Sequence, residues 1–237
     1  MRLSFAVVAA RLIGSARRTT QAYDPDIMRD CWPDLQRGVT GCSLCRIELP
    51  DANVECPPGL LCPPGCEPRD STRVLFVGVA PPETGRHFYT DPTDNLRRGL
   101  FDVLQQLGRH CRDLTDFIER GFFLVHTAKC AIRGTTKPNL RVSKLCSSTH
   151  LYKEIECLAP DGLCFLSKKV GFPVSAGLLP RWGSAQPLPF GELVQVTVGK
   201  KSVRAISTTW PGREVHKPLA KAHVEVLFNS LGLPTWT

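Results

Sequence analysis

The sequence lacks any apolar run close to the ~18 residues that a membrane-spanning helix needs, so we expect no membrane association. Acidic residues are outnumbered: 22 Asp and Glu stand against 30 Lys and Arg, which gives a net charge of +8. No basic amphipathic stretch stands out, so this charge favours nucleic acid over a membrane surface as partner. Internal repeats are also absent. The 237 residues, 42% of them hydrophobic, predict an ordinary globular fold.

The N-terminal segment has no acidic residue before Asp24. It contains serines, threonines and four arginines, Arg2, Arg11, Arg17 and Arg18. This composition is typical of mitochondrial transit peptides, and the apolar part is short for a secretory signal. We predict a mitochondrial targeting segment or N-terminal extension over residues 1–22. The predicted location is mitochondrial, with a cytoplasmic or nuclear protein as the alternative.

The chain has 11 cysteines, but they do not suggest a regular disulfide framework. Their number is odd and they are spread over a full-sized domain. Metal binding in a reducing compartment fits some of them better. Cys42 and Cys45 form a C-x2-C pair, and Cys130 and Cys146 follow with fifteen residues between them. The second C-x2-C of a zinc ribbon is absent. Four thiolates in this order can hold an iron–sulfur cluster, whereas a lone cysteine is usually a small buried hydrophobe.

Residues 24–69 are rich in proline and cysteine and show little periodicity. The stretch ECPPGLLCPPGCEP at residues 55–68 predicts an irregular surface insertion, placed near residues 50–70. Its cysteines, Cys56, Cys62 and Cys66, have no standard zinc spacing.

From Arg73 onward the pattern alternates between strands and helices. Strands are predicted at residues 74–77, 122–127, 163–166, 193–198 and 203–208, and helices at residues 95–107 and 143–158 and after Pro218. In the last helix we expect four residues to face inward, Leu219, Ala222, Val226 and Leu227. The alternation predicts a three-layer α/β/α sandwich with a central, mainly parallel sheet. We assign residues 23–237 to one such domain.

Four motifs, in their order along the chain, resemble the iron–sulfur uracil-DNA glycosylases, the thermophilic-type branch of that superfamily. The first is the Cys42/Cys45 pair. The others are RVLFVGVAP followed by GRHF (residues 73–88), LVHTAKC (residues 124–130) with Cys146 downstream, and TTWPG (residues 208–212). The resemblance runs from Cys42 to the C-terminus and implies a glycosylase fold. It also implies a 4Fe-4S cluster on Cys42, Cys45, Cys130 and Cys146, with zinc as the alternative.

The resemblance further implies a pocket that takes a flipped-out base. Phe88 matches the residue that stacks on the base. The other three roles are altered. The family's acid falls at Val79, where Glu83, or Asp91 further along, is the nearest substitute. Its uracil-reading asparagine falls at His126, which lacks the paired donor and acceptor of an amide. Its leaving-group histidine falls at Trp210.

Two functions follow from this combination. The first is a nucleic-acid-binding protein, on DNA or RNA, with little or no uracil excision. Such a protein could be a structural subunit, among other proteins, of a mitochondrial ribonucleoprotein such as the mitochondrial ribosome. The alternative is an active DNA glycosylase that removes uracil or another deaminated base in base-excision repair, with Glu83 and His126 as catalytic residues. The third hypothesis is a zinc or disulfide protein unrelated to the superfamily. It does not account for the order of the four motifs, so it ranks last.

Overall fold

The computed structural model describes residues 25–55, 62–69, 72–83, 87–133, 140–167 and 188–236. Its helices are α1 (Pro25–Thr40), α2 (Leu44–Glu48), α3 (Asn95–Gln106), α4 (Leu114–Glu119), α5 (Leu140–Cys146), α6 (Tyr152–Leu158) and α7 (Lys217–Ser230). A π-helical turn, Ser147–Leu151, joins α5 to α6, and short 3-10 turns lie at Pro50–Ala52 and Glu214–His216. The strands are β1 (Val54–Glu55), β2 (Val74–Gly78), β3 (Phe122–His126), β4 (Ala131–Ile132), β5 (Gly162–Phe165), β6 (Val194–Val198) and β7 (Lys201–Ser207).

The main sheet has five strands in the order β3-β2-β5-β7-β6. Strand β2 pairs in parallel with β3 and β5, and β5 pairs in parallel with β7. Strand β6 is antiparallel to β7 and forms the edge. All five residues of β2 are buried, as expected for a parallel strand covered on both faces. The predicted strands are therefore confirmed, with small shifts at their ends.

Two consecutive phenylalanines show that helices cover both faces of this sheet. Neighbouring residues of a strand point to opposite faces. Phe122 stacks on Phe228 of α7, with ring centroids 5.5 Å apart. Phe123 meets the edge of Trp32 in α1 at 5.4 Å. The layers on the two faces thus include α7 and α1, which confirms the predicted three-layer α/β fold.

Helix α3 begins and ends where its sequence predicts. The Asp94 side chain caps the N-terminus by accepting a hydrogen bond from the Arg97 backbone N–H at 2.9 Å. The residues buried along one face are Leu96, Gly99, Leu100, Val103 and Leu104. Gly108 follows the helix with a φ of +66°, a conformation that suits glycine.

Helix α7 packs on a different face from the predicted one. Leu227 is buried as expected, but Leu219 and Val226 are 43% and 45% exposed, and Ala222 is exposed. The buried residues are Ala220, Val224, Leu227 and Phe228. Both stripes have helical spacing, so periodicity alone could not choose between them. The Phe228 ring, stacked on Phe122, settles which face turns toward the sheet.

Two cysteines other than Cys42, Cys45, Cys130 and Cys146 (the cysteine quartet) form a disulfide that the sequence did not predict. Cys31 of α1 is bonded to Cys157 of α6, 126 residues further along the chain. The odd count and irregular spacing argued against a disulfide framework, and nothing in the local sequence marks these two as partners. The bond ties α1 to the rest of the domain.

One residue of the proline- and cysteine-rich segment lies in the core, whereas residues 64, 65, 67 and 69 are exposed, and the surface insertion stays a prediction. Cys62 is only 4% exposed and belongs to the main hydrophobic cluster. Cys66 is partly buried against that cluster. Residues 56–61 and the predicted targeting segment 1–22 lie outside the described residues. Within the described ranges, no helix combines the length and hydropathy needed to cross a membrane.

Candidate functional site

The candidate site begins where β2 and β3 end side by side. Gly78 is paired with His126 in the parallel ladder. A Cβ on Gly78 would lie 2.9 Å from Cδ2 of the His126 ring. Such a contact is closer than carbon atoms tolerate, so the glycine makes room for the imidazole. The sequence thus places His126 at the carboxyl edge of the sheet, where ligands gather in open α/β folds.

Backbone bonds fix the two chains just beyond these strand ends. The Thr127 N–H donates to the Gly78 carbonyl and the Ala128 N–H donates to the Val79 carbonyl, both at 2.9 Å. The Thr127 hydroxyl also donates to the Val79 carbonyl at 2.6 Å. The backbone that directly follows His126 is therefore tied to the end of β2 and to Val79. Val79, partly buried at this edge, offers only an apolar side chain.

His126 is a neutral imidazole at physiological pH. Burial, together with the charges of Lys129 and His87, lowers the pKa of His126 to about 3. A neutral ring keeps one N–H donor and one acceptor nitrogen. His126 can therefore hydrogen-bond a base edge, but it brings no positive charge to the site.

Phe88 lies in the core, away from solvent. Its ring is 1% exposed. It packs against Tyr89 at 5.1 Å, Phe117 at 5.4 Å and Phe101 at 6.1 Å between ring centroids. In this arrangement the ring shows no open face to a base. Base stacking by Phe88 requires these neighbours to uncover it and stays a prediction.

Trp210 lies in the turn that follows β7 and is partly buried against the core. The turn is docked on α3 at Gly99, where a Cβ would lie 2.1 Å from the Pro211 carbonyl oxygen. A Cβ on Gly212 would meet the Trp210 ring at 2.5 Å. Two glycines thus permit the close packing that positions Trp210, at the same sheet edge as His126.

Substituting Gly99 tests this docking. We expect Gly99→Ala to lower the free energy of unfolding by about 1–3 kcal/mol, because the new methyl group overlaps the Pro211 carbonyl. Gly38→Ala is the matched control: Gly38 lies in α1 with no atom within 4 Å of an added Cβ. It should gain about 0.5–1 kcal/mol from helix propensity. Urea unfolding measures both. Equal gains at the two positions would contradict the docked turn.

The acids proposed as substitutes lie apart in the loop after β2. Glu83 is exposed. Asp91 is partly buried, and its Oδ1 accepts hydrogen bonds from the Thr93 backbone N–H at 2.8 Å and hydroxyl at 2.7 Å. Those bonds turn Asp91 toward the start of α3. Glu83 is thus the more accessible of the two acids, and its catalytic role stays a prediction.

The four cysteines of the quartet lie near the segment that runs from α5 through the π-helical turn to α6. Cys45, Cys130 and Cys146 are buried, and Cys42 is partly buried. Cys45 and Cys146 are hydrogen-bonded to each other, and this bond with burial raises the pKa of the Cys146 thiol. The Lys129 backbone N–H donates to the Cys146 Sγ at 3.5 Å. Lys129 directly precedes Cys130 in the sequence, so three of the four cysteines belong to one neighbourhood.

His150 links the remaining cysteine to the same helical run. Its Nε2 lies 3.2 Å from the Cys42 Sγ. His150 belongs to the π-helical turn that directly follows Cys146, and such turns often occur at functional sites. Sequence reasoning missed His150 because no motif marked it.

The quartet suits a soft metal or cluster in donor type and burial. Its arrangement supports such a group only in part. Among the residues described by the structure, no three His, Cys, Asp or Glu side chains are placed to hold a metal ion. The Cys45–Cys146 and Cys42–His150 contacts are pairs rather than a shared centre. Cluster binding by the quartet therefore stays a prediction.

A buried ion pair contacts the backbone of His126 and was not predicted from the sequence. Lys129 Nζ contacts Glu154 Oε2 at 2.6 Å and donates to the His126 carbonyl. The two side chains are 2% and 0% exposed. Lys129 thus joins the strand that carries His126 to the helix α6. The only sequence signal was the position of Lys129 between His126 and Cys130.

A second histidine contact lies at the end of β7. His223 of α7 places Nδ1 3.0 Å from the Thr208 hydroxyl, and its ring meets the edge of Phe190 at 5.3 Å. Burial lowers the pKa of His223. This contact anchors the start of the TTWPG turn to α7.

Comparison with known proteins agrees with this architecture. No curated protein matches the chain. The family model of the uracil DNA glycosylase superfamily matches residues 64–213, more than half of the sequence. The match includes strands β2, β3, β5, β6 and β7, and with them His126 at the end of β3 and the loops that carry Val79 and Trp210. The chain belongs to the uracil DNA glycosylase superfamily.

Proposed function

We propose that this protein binds nucleic acid through its glycosylase fold and excises uracil slowly or not at all. One observation carries the proposal: the residues at or just beyond the carboxyl ends of β2, β3 and β7, namely Val79, His126 and Trp210, are all uncharged at neutral pH. Val79 is apolar, and His126 is neutral because of its lowered pKa. Trp210 has a single neutral donor.

Base excision needs groups that interact more strongly with the transition state than with the ground state. The sugar becomes cationic and the departing base anionic, so charged or strongly polar groups at both ends speed the reaction. One preorganised donor is worth ~10²–10³ in rate. A site with Val79 and Trp210 in these positions loses several such contributions. Binding to a polyanion depends instead on the net charge of the chain, which is +8 even though the catalytic groups are missing.

Binding and excision assays on one preparation test the proposal. Affinity for a single-stranded oligonucleotide should fall as salt rises, because contacts with phosphates release counterions. Excision from single- and double-stranded DNA with uracil or hypoxanthine should be ~10³-fold or more below that of an active uracil-DNA glycosylase. Uracil release at enzymatic rates, abolished by Glu83→Gln, would overturn the proposal and make Glu83 the catalytic acid.

A second candidate function is a glycosylase for a different deaminated base. The observation that favours it is the neutral imidazole of His126 at the carboxyl edge, since a neutral donor can bind a departing base. Excision of hypoxanthine that is lost in His126→Ala and retained in Glu83→Gln would select this candidate.

We also propose that Cys42, Cys45, Cys130 and Cys146 hold a 4Fe-4S cluster, with zinc as the alternative occupant. The Cys45–Cys146 contact and the burial of three of the thiols support it. The cluster would tie the segment before β1 to the helices after β3, and it supplies no step of the excision chemistry. Iron and sulfide analysis of anaerobically purified protein distinguishes a cluster from zinc.

The site of action is proposed from composition alone. The basic, acid-poor segment 1–22 supports mitochondrial import, and the net charge supports a place in a mitochondrial ribonucleoprotein such as the ribosome. Fractionation of tagged cells tests the location. Association of the protein with ribosomal particles on a gradient, sensitive to nuclease, tests the partner.

A further inference from the structure

A groove of about 440 Å³ runs along the outer side of α3. One wall comes from α3 and from residues 110–112, and the other comes from residues 212–217 after the Trp210 turn. Five basic side chains line it, Arg97, Arg98, His110, Arg112 and Lys217. Only two acids, Asp102 and Glu214, lie among them. The groove is not built from the residues assigned to the base site.

Both acids of the groove are ion-paired with one of its cations, whose single charge balances one of the two carboxylates. Lys217 Nζ contacts both Asp102 and Glu214 at 2.5 Å. Within the described ranges of the chain, Arg97 and Arg98 form no ion pair. The Arg98 guanidinium donates only to the Asn95 side-chain oxygen, at 2.8 Å. Among the described residues, Arg98 therefore has no carboxylate at ion-pair distance, and Arg97 has only the longer-range attraction of Asp113, Asp91 and Asp94.

Arg97 is held in place instead of trailing into solvent. It is partly buried, and its guanidinium lies over the Phe101 ring at 5.6 Å from the centroid. Phe101 itself is stacked on Phe117 in the core at 5.6 Å. An arginine stacked in this way is preorganised, so it loses little entropy when it binds an anion. Burial also lowers the pKa of Arg97, as expected for a charge with limited access to water.

We propose that this groove binds a phosphate group through Arg97 and Arg98. Guanidinium groups bind phosphate oxygens through paired hydrogen bonds. Two sources of phosphate share this chemistry: the backbone of a nucleic acid and a free phosphate or nucleotide. The groove reaches the turn that carries Trp210, so a strand bound at the base site would pass close to it. The nucleic-acid source rests on the proposed function, whereas the free-phosphate source does not.

Single substitutions distinguish binding at this groove from the general effect of removing one positive charge from the protein. Arg97→Gln and Arg98→Gln each remove one positive charge from the groove. Arg204→Gln is the matched control, because Arg204 is exposed, does not line the groove, and pairs with Gly162 at the amino end of β5, the sheet edge opposite the one that carries Trp210. Arg98 is exposed, so its variant keeps the fold even if the Arg97 variant is destabilised. Circular dichroism checks all three.

The first measurement is oligonucleotide affinity across a salt series. For each groove variant we expect ~10-fold weaker binding at low salt. The slope of log affinity against log salt should also fall by about 0.7, the value for one phosphate contact on a single strand. The second measurement is the melting temperature in inorganic phosphate against chloride of equal ionic strength. Phosphate that binds the native state raises this temperature.

The outcomes distinguish the sources. Loss of affinity in the groove variants, with no stabilisation of wild type by phosphate, assigns the backbone as the ligand. Phosphate stabilisation that disappears in the groove variants, with unchanged oligonucleotide affinity, assigns a free phosphate. Groove variants that match Arg204→Gln in both measurements overturn the proposal. If wild type binds no oligonucleotide, the proposed function fails and the phosphate measurement alone decides the groove.

Discussion

Lys129→Met should lower the free energy of unfolding by about 3–5 kcal/mol. The substitution removes the cation and leaves the Glu154 carboxylate fully buried beside it. One oxygen of that carboxylate, Oε1, already has no hydrogen-bond partner among the described residues. Burial raises the pKa of Glu154, and Lys129 opposes that rise. Urea unfolding at neutral pH measures the loss.

The double variant Lys129→Met/Glu154→Met is the control. A buried pair replaced on both sides by apolar groups of similar volume is often neutral, so stability should return close to that of wild type. A single variant within 0.5 kcal/mol of wild type would contradict a tightly coupled pair. Lys129 also lowers the pKa of His126. The pKa of His126 should therefore rise in the double variant, which ¹H–¹⁵N spectra of the ring report independently of stability.

Removal of the Cys31–Cys157 bond should cost about 2–5 kcal/mol of stability. The bond closes a loop across 126 residues, and the chain-entropy model predicts larger effects for longer loops. Cys31→Ala/Cys157→Ala tests it by denaturant unfolding. Reductant should destabilise wild type and leave the variant unchanged.

Thiol titration of the unfolded chains provides a separate check. Under non-reducing conditions, wild type and the double alanine variant should show the same number of free thiols, because both variant positions are bonded in wild type. Two more thiols in wild type would mean that the bond is not formed. Equal stability of the two proteins would show that α1 is held by its packing alone.

The strand and helix pattern from Arg73 onward could be read from the sequence because its signals are local. Asp94 caps α3 and Gly108 ends it, and both act within a few residues. The inward face of α7 could not be chosen, since Leu219 and Val226, seven residues apart, fit the helical period as well as Val224 and Phe228, four residues apart. The choice depends on Phe122, which lies more than ninety residues earlier in the sequence.

The sequence predicted those site residues that lie at or just after the end of a strand. His126 ends one apolar strand and Trp210 follows another, and the structure places both residues at one sheet edge. The burial of Phe88 was not predictable, because it depends on Phe101 and Phe117 from two different helices. The Lys129–Glu154 pair and the Cys31–Cys157 bond join residues 25 and 126 positions apart. No local pattern announces pairs of this kind.

The contact between Gly78 and His126 also bears on how the strands find their alignment. Strands β2 and β3 are almost uniformly apolar, VLFV beside FFLV, so hydrophobic burial alone distinguishes poorly between neighbouring registers. A shift by one position would set the imidazole opposite Val77 or Val79, whose side chains would fill the space beside the ring that a glycine leaves open. Gly78 therefore favours the native register of β2 and β3, in addition to leaving space for the imidazole ring. An alanine at position 78 would be expected to slow refolding by allowing misaligned pairs to compete with the native one.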